Sequence, residues 1–346
     1  MTVMRKPVNQ SASVKGDTLL DVQNLSIEVQ GPGGWTKLTE DVSLSVRAGE
    51  TVGLVGESGS GKTITGLAVL GVLPPTVKAT SGRIMFGGED LLALPEKELR
   101  RVRGGQIGMV FQEPRRSLDP SFTVGEQVAE TIRAHENVSR RVARTKAIEM
   151  LERVHIPHPE VRARQYPHQF SGGMCQRVML AIALACGPKV LIADEPTTAL
   201  DVTVQAAMLR LIKDLQNELD LGVLLITHDM GVVAEVCDSV VVMYAGQTVE
   251  VAPVNEIFHA PSHPYTAAIR DATPDVRDKN DLMRAIPGQV PAPDQWPTGC
   301  RFAPRCAHAQ DECRDAAGLQ MRQLGLAQVR CVRAGDLNLG VEGSCE

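Results

Sequence analysis

The N-terminal part of the chain alternates hydrophobic and polar residues in short runs that are typical of β-strands. This alternation covers residues 19–29 and 41–46, and the glycine-rich stretch 31–34 between them predicts a turn. Residues 50–56 form a short apolar run that leads into a glycine-rich loop and then into a helix-prone segment. The pattern therefore predicts antiparallel strands, followed by a strand, a loop and a helix.

A long charged and helix-prone region follows, from about residue 96 to residue 186. Within it, residues 140–154 place apolar side chains three or four positions apart, as one face of an amphipathic helix requires. We expect residues 96–186 to form a helical subdomain.

The next part of the chain has the pattern of a parallel sheet. Apolar runs at 189–194 and 222–228 flank the helix-prone stretch 206–219, and residues 239–244 form another strand pattern. Strands that are buried on both faces of a parallel sheet have such continuous apolar runs. The order of the elements predicts an α/β core that carries an antiparallel β subdomain and a helical subdomain.

Composition divides the chain further. Residues 1–17 are polar and lack the apolar stretch of a secretory signal, so we expect a flexible N-terminal tail. Prolines gather between residues 253 and 300, which is typical of irregular backbone and of a domain boundary. We therefore predict one large domain over 18–262 and a C-terminal extension over 263–346.

The charge and the hydropathy of the chain argue against nucleic-acid binding and against a membrane-spanning segment. The 346 residues carry a formal net charge of -5, with an isoelectric point near 6.0, so we do not expect nucleic acid as a partner. The apolar runs are shorter than the roughly 18 residues that a membrane-spanning helix needs. We expect no segment of this chain to cross a bilayer unaided.

The glycine-rich loop after residues 50–56 matches the P-loop pattern G-x-x-x-x-G-K-[ST], between a predicted strand and a predicted helix. In such a loop, backbone N–H groups point at phosphate oxygens, the lysine adds a positive charge and the threonine hydroxyl can ligate Mg²⁺. The residues predicted to bind ATP here are Gly56, Ser58, Gly59, Ser60, Gly61, Lys62 and Thr63.

Four polar residues at predicted strand ends can complete a phosphoryl-transfer site. Asp194 and Glu195 close an apolar strand; we expect Asp194 to hold Mg²⁺ and Glu195 to polarise an attacking water, although two acids could also be a solvated strand end. His228 follows the next strand and can reach a γ-phosphate. Gln112 ends the run MVFQ, where glutamine is also common without a catalytic role.

A second candidate anion site lies in residues 170–177, FSGGMCQR. A Ser-Gly-Gly turn at a helix start presents unpaired backbone N–H groups and the positive end of the helix dipole. The chain thus has two places that favour phosphate, more than a hundred residues apart.

Taken together, the P-loop, VLIADEP (190–196), TALD (198–201), ITHD (226–229) and FSGGMCQR resemble the ATP-binding subunits of ABC transporters over roughly residues 18–262. The resemblance implies that two ATPase subunits stack head to tail around two ATP molecules. It makes Ser171, Gly172 and Gly173 contacts to the ATP of the partner subunit, with Asp201 at the same interface. It also implies Glu195 as the catalytic base, His228 as a sensor of the γ-phosphate, and Gln112 as a contact of Mg²⁺ and water.

Two positions are less regular. Cys175 stands where this family more often has Arg, Gln or Lys, so we expect the loss of a possible interface charge to alter coupling between subunits without loss of activity. Trp35 is the aromatic residue available to stack on adenine. It could instead cap the antiparallel sheet.

The segments 111–128, 263–266 (HPYT) and 286–313 are similar to the oligopeptide/dipeptide importer branch of this family. That resemblance implies import of di- or oligopeptides, with nickel and glutathione importers as close relatives. It implies a second ATPase subunit, which we expect to be a paralogue, two integral membrane permease subunits and an external substrate-binding protein. The chain would then lie at the cytoplasmic face of the cell membrane. The alternative outside transport is a soluble ABC ATPase of translation or DNA repair.

The C-terminal extension is rich in cysteine, with Cys300, Cys306, Cys313 and Cys331 in the spacing C-x5-C-x6-C-x17-C. A reducing cytoplasm disfavours disulfides, and paired C-x2–4-C knuckles typical of zinc are absent from the sequence. Four thiolates on a proline-rich segment can ligate a [4Fe–4S] cluster. Zinc and unligated thiols are the alternatives, and a structural role is expected for a bound metal.

Overall fold

The fold is taken from a computed structural model, which describes residues 16–197, 201–273, 286–315 and 319–340. The strands are β1 (Thr18–Gly31), β2 (Gly34–Arg47), β3 (Thr51–Val55), β4 (Val77–Phe86), β5 (Glu89–Asp90), β6 (Ile107–Val110), β7 (Val190–Asp194), β8 (Gly222–Thr227), β9 (Ser239–Tyr244), β10 (Gln247–Pro253), β11 (Arg322–Leu324) and β12 (Ala327–Val329). The helices are α1 (Lys62–Leu70), α2 (Glu96–Val102), α3 (Pro114–Ser117), α4 (Val124–His135), α5 (Arg140–Arg153), α6 (Pro159–Arg162), α7 (Gly172–Leu184), α8 (Val202–Leu219), α9 (Met230–Val236), α10 (Val254–His259), α11 (Pro264–Asp271) and α12 (Asp311–Arg314).

The central sheet has eight strands in the order β11-β12-β10-β9-β3-β8-β7-β6. Strands β9, β3, β8, β7 and β6 run parallel, whereas β10, β12 and β11 add an antiparallel edge. The carboxyl ends of the parallel strands therefore meet along one edge, which is where α/β sheets place ligands.

Both faces of this sheet are buried, which explains the continuous apolar runs. In β8, Leu224 and Ile226 face a core shared with α1 and the antiparallel sheet. Val223 and Leu225 face a second core, formed with α4, α5, α7 and α8. Side chains of successive strand residues point to opposite faces, so one apolar strand supplies both cores.

A separate four-stranded antiparallel sheet, β2-β1-β4-β5, covers the first face. Residues 19–29 and 41–46 lie in its strands β1 and β2, as the alternation predicted. Leu20, Val22 and Ile27 point inward from β1 and are at most 1% exposed.

The predicted helical region contains α2 to α7. Its longest helix, α5, is capped by Ser139, whose hydroxyl accepts a hydrogen bond from the N–H of Val142, and it buries Ala143, Ala147 and Leu151 four residues apart. The range 96–186 also includes β6, which joins the central sheet beside β7. A strand of only four residues has too little periodicity to be detected within helix-prone sequence.

The C-terminal extension packs on the central sheet and contains more regular secondary structure than the sequence predicted. Strand β12 pairs with β10, so the extension continues the central sheet. Trp296 lies against Gly246, and Arg301 stacks 3.5 Å above the centre of the Trp296 rings. Across the described part of the chain, the structure contains no helix that combines the length and the apolar character needed to span a membrane.

Candidate functional site

The P-loop connects β3 to α1, as predicted. Gly61 is the N-cap of α1 and has φ +100°, a conformation that favours glycine. Gly56 has φ +151°, and a Cβ atom at this position would clash with the carbonyl oxygen of Met243 in β9. The loop therefore needs both glycines to curl against the ends of the parallel strands.

Lys62 lies at the start of α1 and is 7% exposed. Its ammonium group donates hydrogen bonds to the carbonyl oxygens of Gly56, at 2.6 Å, and Glu57, at 3.0 Å. Burial lowers the pKa of Lys62, while the nearby carboxylates of Glu195, Asp194 and Glu57 oppose that shift. The positive charge is thus held at the loop among acidic groups, in position to meet a phosphate.

Thr63 and Asp194 meet across the carboxyl ends of the strands. The Thr63 hydroxyl donates to the Asp194 carboxylate at 3.2 Å. Burial raises the pKa of Asp194 to about 6, the Thr63 hydrogen bond opposes this, and the charge of Glu195 adds to it. A hydroxyl and a carboxylate are hard oxygen ligands, so this pair fits Mg²⁺, which would also relieve the cost of the buried charge.

Of the three residues predicted to act in catalysis, Gln112 and His228 both contact the third, Glu195. Gln112 donates through its side-chain amide to one oxygen of the Glu195 carboxylate at 2.9 Å, and the Nδ1 of His228 lies 2.9 Å from the other oxygen. Since an ionised carboxylate only accepts hydrogen bonds, a hydrogen bond here requires the tautomer with a proton on Nδ1. Glu195 itself has φ +45°, an unusual backbone conformation for a residue other than glycine.

These residues surround one open cleft of about 540 Å³. Its lining joins Gly56, Glu57 and Ser58 of the P-loop to Gln112, Glu195 and His228. Ile269, Ala272, Thr273 and Ile286 close another side. The predicted phosphate-binding loop and the predicted catalytic residues therefore belong to one site.

The second candidate anion site is separate from this cleft. Ser171 is the N-cap of α7 and accepts a hydrogen bond from the N–H of Met174 at 3.3 Å. Neither Ser171 nor Gly172 nor Gly173 lines the cleft. Asp201 caps α8 by accepting from the N–H of Val204 at 3.0 Å; the other residues of TALD, 198–200, lie outside the described residues.

Cys175 lies in the first turn of α7, and its expected effect on coupling between subunits stays a prediction. Its side chain is fully buried, and its thiol points to the carbonyl oxygen of Pro167 at 3.6 Å. Burial raises the pKa of Cys175, and the nearby guanidinium of Arg115 opposes this. The thiol thus faces the interior of the helical region, where the start of α7 packs on Pro167, and not an open surface.

Trp35 lies at the start of β2 and is 44% exposed. The ammonium group of Lys78, in strand β4 on the other side of β1, lies 3.8 Å from the centre of its rings. A cation–π contact thus covers one face of the indole. Trp35 does not belong to the lining of the cleft, so its predicted contact with adenine stays a prediction.

The four cysteines of the extension line one cavity, together with His263, Phe302 and Arg333. The space between the atoms is about 280 Å³, of which about 10 Å³ would admit water. Burial raises the pKa of Cys300 to about 11, and the neighbouring thiols of Cys331 and Cys306 add to this. Among the described residues, no group of three or more His, Cys, Asp or Glu side chains is arranged to hold a metal ion, so the predicted metal at these cysteines finds no support in this arrangement.

One set of contacts had no signal in the sequence. Glu57, a variable position of the P-loop pattern, is bound by Arg305 and Tyr265 from the C-terminal part of the chain. Residues separated by more than two hundred positions cannot be paired from local patterns. Tyr265 and Arg305 do lie in the two segments, HPYT and 286–313, that are similar to the importer branch.

Two family models match the chain. The model described as ABC transporter matches residues 39–198, and the model described as Oligopeptide/dipeptide transporter, C-terminal region, matches residues 249–313. The oligopeptide transport ATP-binding protein OppD of Escherichia coli is 44% identical, over 92% of this chain and 95% of its own length. The oligopeptide transport ATP-binding protein AppD of Bacillus subtilis is 47% identical, over 86% of this chain and 90% of its own.

Solved structures agree with the fold. A dimeric ATP-binding cassette in a post-hydrolysis state, bound to ADP and Pi, is 27% identical and superposes with a TM-score of 0.62. The similarity covers 68% of this chain and 99% of that cassette. The predicted P-loop α/β core, with its antiparallel sheet and its helices, is therefore confirmed.

Proposed function

Because the chain belongs to the ATP-binding subunits of ABC transporters, in their oligopeptide and dipeptide branch, we propose that it hydrolyses ATP to power the import of di- or oligopeptides. The observation that carries the proposal is the convergence of the P-loop with Glu195, Gln112 and His228 on one cleft, together with the hydrogen bond from Thr63 of the P-loop to Asp194. Two relatives named for oligopeptide transport, similar over nearly their whole lengths, support peptides as the cargo.

In this mechanism each residue has a separate task. The backbone N–H groups of the P-loop and the ammonium group of Lys62 bind the phosphates. Thr63 and Asp194, which already meet, would hold Mg²⁺. When bound, this ion neutralises charge on the phosphate oxygens. Glu195 accepts a proton from the attacking water, while Gln112 and His228 fix the orientation of its two carboxylate oxygens.

The second anion site serves a partner subunit. We assign Ser171, Gly172 and Gly173 to the γ-phosphate on the P-loop of a second ATPase subunit, with Asp201 at the same interface. Their position outside their own cleft and the dimeric state of the similar cassette support this assignment. We expect the second subunit to be a paralogue, since peptide importers often use two different ATPase chains.

ATP binding would draw the two ATPase subunits together, and hydrolysis would release them. The motion would be passed to two integral membrane permease subunits, so the chain acts as a peripheral protein at the cytoplasmic face of the membrane. A substrate-binding protein on the other side would deliver the peptide. The similarity to oligopeptide transport proteins does not favour the alternatives, which are nickel or glutathione as the cargo and a soluble ABC ATPase of translation or DNA repair as the class.

For the cysteine cavity we propose a [4Fe–4S] cluster held by Cys300, Cys306, Cys313 and Cys331, with zinc as the alternative. A single zinc ion needs its sulfur ligands about 2.3 Å from one point. What supports the proposal is that four cysteines line one cavity, which is the number of thiolate ligands that such a cluster needs. A bound cluster would cross-link the extension.

Anaerobically purified protein should contain about four iron and four sulfide per chain; colourless protein with one zinc per chain would contradict the assignment.

The function is tested by reconstituting the chain in vesicles with its permease subunits and binding protein, and by measuring uptake of labelled peptides. Uptake should require ATP and be abolished by Glu195→Gln. The matched control is Glu113→Gln, which changes an exposed acid next to Gln112. Uptake of nickel or glutathione, with no uptake of peptide, would show that the proposed peptide cargo is wrong. Failure of the chain to co-purify with integral membrane subunits would favour the soluble alternative.

A further inference from the structure

The stretch between the first two cysteines of the cavity, CRFAPRC (residues 300–306), packs directly on the ATP-binding core; we call it the cysteine-bounded segment. Arg301 donates to the carbonyl oxygen of Ala245 at 2.6 Å and pairs with Glu40 at the β2 side. Phe302 packs its ring against Tyr244 and Tyr265, with ring centres 5.2 and 5.3 Å apart. Arg301 and Phe302 therefore both anchor the segment to the ATPase core.

Arg305, at the end of this segment, reaches the P-loop. Its guanidinium binds both carboxylate oxygens of Glu57, with N–O distances of 2.7 and 3.0 Å. The Arg305 side chain is only 5% exposed, whereas that of Glu57 is 33% exposed. A bidentate pair of this kind fixes orientation as well as charge, and it loses less to solvent than a surface ion pair.

The surroundings hold Arg305 and Glu57 in this geometry. The Nε of Arg305 donates to the carbonyl oxygen of Pro287 at 2.8 Å. The backbone N–H of Glu57 donates to the hydroxyl of Tyr265 at 2.9 Å, so the C-terminal part of the chain contacts both the side chain and the backbone of this P-loop residue. These contacts fix the first turn of the P-loop from outside the ATPase motifs.

Charge gives these contacts a consequence for nucleotide binding. Glu57 lines the cleft, and its carboxylate is close enough to Lys62 to raise the pKa of that lysine against the effect of burial. An unpaired carboxylate there would repel the phosphates and compete for Lys62. Arg305 neutralises it.

We propose that Arg305 is a positioning residue which holds the P-loop through Glu57 and makes ATP affinity depend on the cysteine-bounded segment. The inference rests on ATP binding at the P-loop but not on peptide as the cargo or on the nature of the metal. Since Arg305 directly precedes Cys306, a change at the cavity cysteines moves the guanidinium and thereby alters the P-loop.

The test is a double-mutant cycle of Arg305→Met and Glu57→Gln, made in a Glu195→Gln background so that ATP is not consumed. The dissociation constant of ATP is measured by equilibrium dialysis. Arg305→Met alone should weaken binding about tenfold, because it leaves the Glu57 carboxylate unpaired, and should have about a fivefold smaller effect when Glu57→Gln is already present. Arg314→Met is the matched control, since Arg314 is an exposed arginine of the same extension.

The comparison of the two backgrounds at position 57 decides the result. The proposal is supported if Arg305→Met lowers ATP affinity more when Glu57 is intact than when it carries the Glu57→Gln change. Equal losses in the two backgrounds, or no loss in either, overturn it. Undetectable ATP binding before any change at position 305 would instead contradict the P-loop function itself.

The dependence on the cysteines is tested by Cys306→Ser, with Cys186→Ser in the helical region as the control. Cys306→Ser should weaken ATP binding when Arg305 is present and should have little further effect after Arg305→Met. Equal weakening in both backgrounds, or no weakening, would overturn this part of the proposal. Iron content, measured on the same samples, reports separately on the cluster.

Discussion

At the scale of single residues, the site includes a buried acid, Asp194, whose negative charge lowers the free energy of unfolding. Asp194 is 2% exposed at the end of β7, and burial raises its pKa to about 6 from the usual 3.8. Beside it, Glu195 adopts φ +45° and is held by Gln112 and His228. Such groups lower the stability of the protein without ligand and are retained for their chemistry.

We predict that Asp194→Asn stabilises the nucleotide-free protein while removing Mg²⁺-dependent hydrolysis. The pKa of Asp194 is higher in the folded state than in the unfolded state, so its ionisation lowers the free energy of unfolding as the pH rises from about 4 through about 6. The gain should be roughly 2 to 3 kcal/mol above pH 7 and about half of that at pH 5. Urea denaturation at both pH values measures it, and a gain that does not change with pH would contradict the prediction.

At the scale of elements, the P-loop is shaped by its neighbours as much as by its own glycines. Gly56 follows β3 and lies against the end of β9, where the carbonyl oxygen of Met243 leaves no room for a side chain. The N–H of Gly246, just beyond β9, donates to the carbonyl oxygen of Ser60. The loop is therefore a tertiary element, built between two strands that are adjacent in the sheet but distant in sequence.

We predict that Gly56→Ala destabilises the protein by more than about 3 kcal/mol, since it combines a backbone clash with an unfavourable φ. Gly172→Ala is the matched control for stability, because a Cβ atom at Gly172, the first residue of α7, would meet nothing within 4 Å. Its effect on the free energy of unfolding should stay within about 0.5 kcal/mol. Thermal and urea unfolding compare the two variants. Equal costs would show that the close approach to Met243 does not constrain the loop.

At the scale of the whole molecule, the two candidate anion sites lie apart, and in the proposed mechanism they belong to different ATP sites. The cleft with the P-loop and Glu195 is open, while Ser171 and its glycines lie elsewhere, at the start of α7. The C-terminal extension joins the central sheet through β12 and reaches the P-loop through Arg305. The proposed assembly and the proposed role of Arg305 would therefore both act on the same nucleotide site.

We predict that turnover per chain falls on dilution, or requires an added paralogue, because a second subunit must complete the site. Ser171→Arg should abolish this turnover, because it disrupts the site of the partner subunit. ATP binding by the isolated chain should stay within about twofold of that of the unsubstituted chain. ATPase rates over a range of protein concentrations and equilibrium dialysis make the comparison. Full turnover at every dilution, insensitive to Ser171→Arg, would remove the need for a partner.

Local sequence determined the strands, the P-loop and the identity of the residues proposed to bind phosphate, because each of these depends on neighbours within a few positions. The alternation in β1 and β2, the apolar runs of β7 and β8 and the pattern of residues 56–63 were all readable in this way. The short strand β6 was not, since four residues within helix-prone sequence carry no distinct period.

Only the tertiary structure decided which of these residues meet. Gln112 and His228 converge on Glu195 because β6, β7 and β8 are adjacent in the sheet, an order that the sequence does not state. The same holds for the cavity shared by the four cysteines and for the pair Arg305–Glu57, whose members are 248 positions apart. The physical reason is that closing so long a loop is favourable only through the combined packing of the whole fold, which no local pattern encodes.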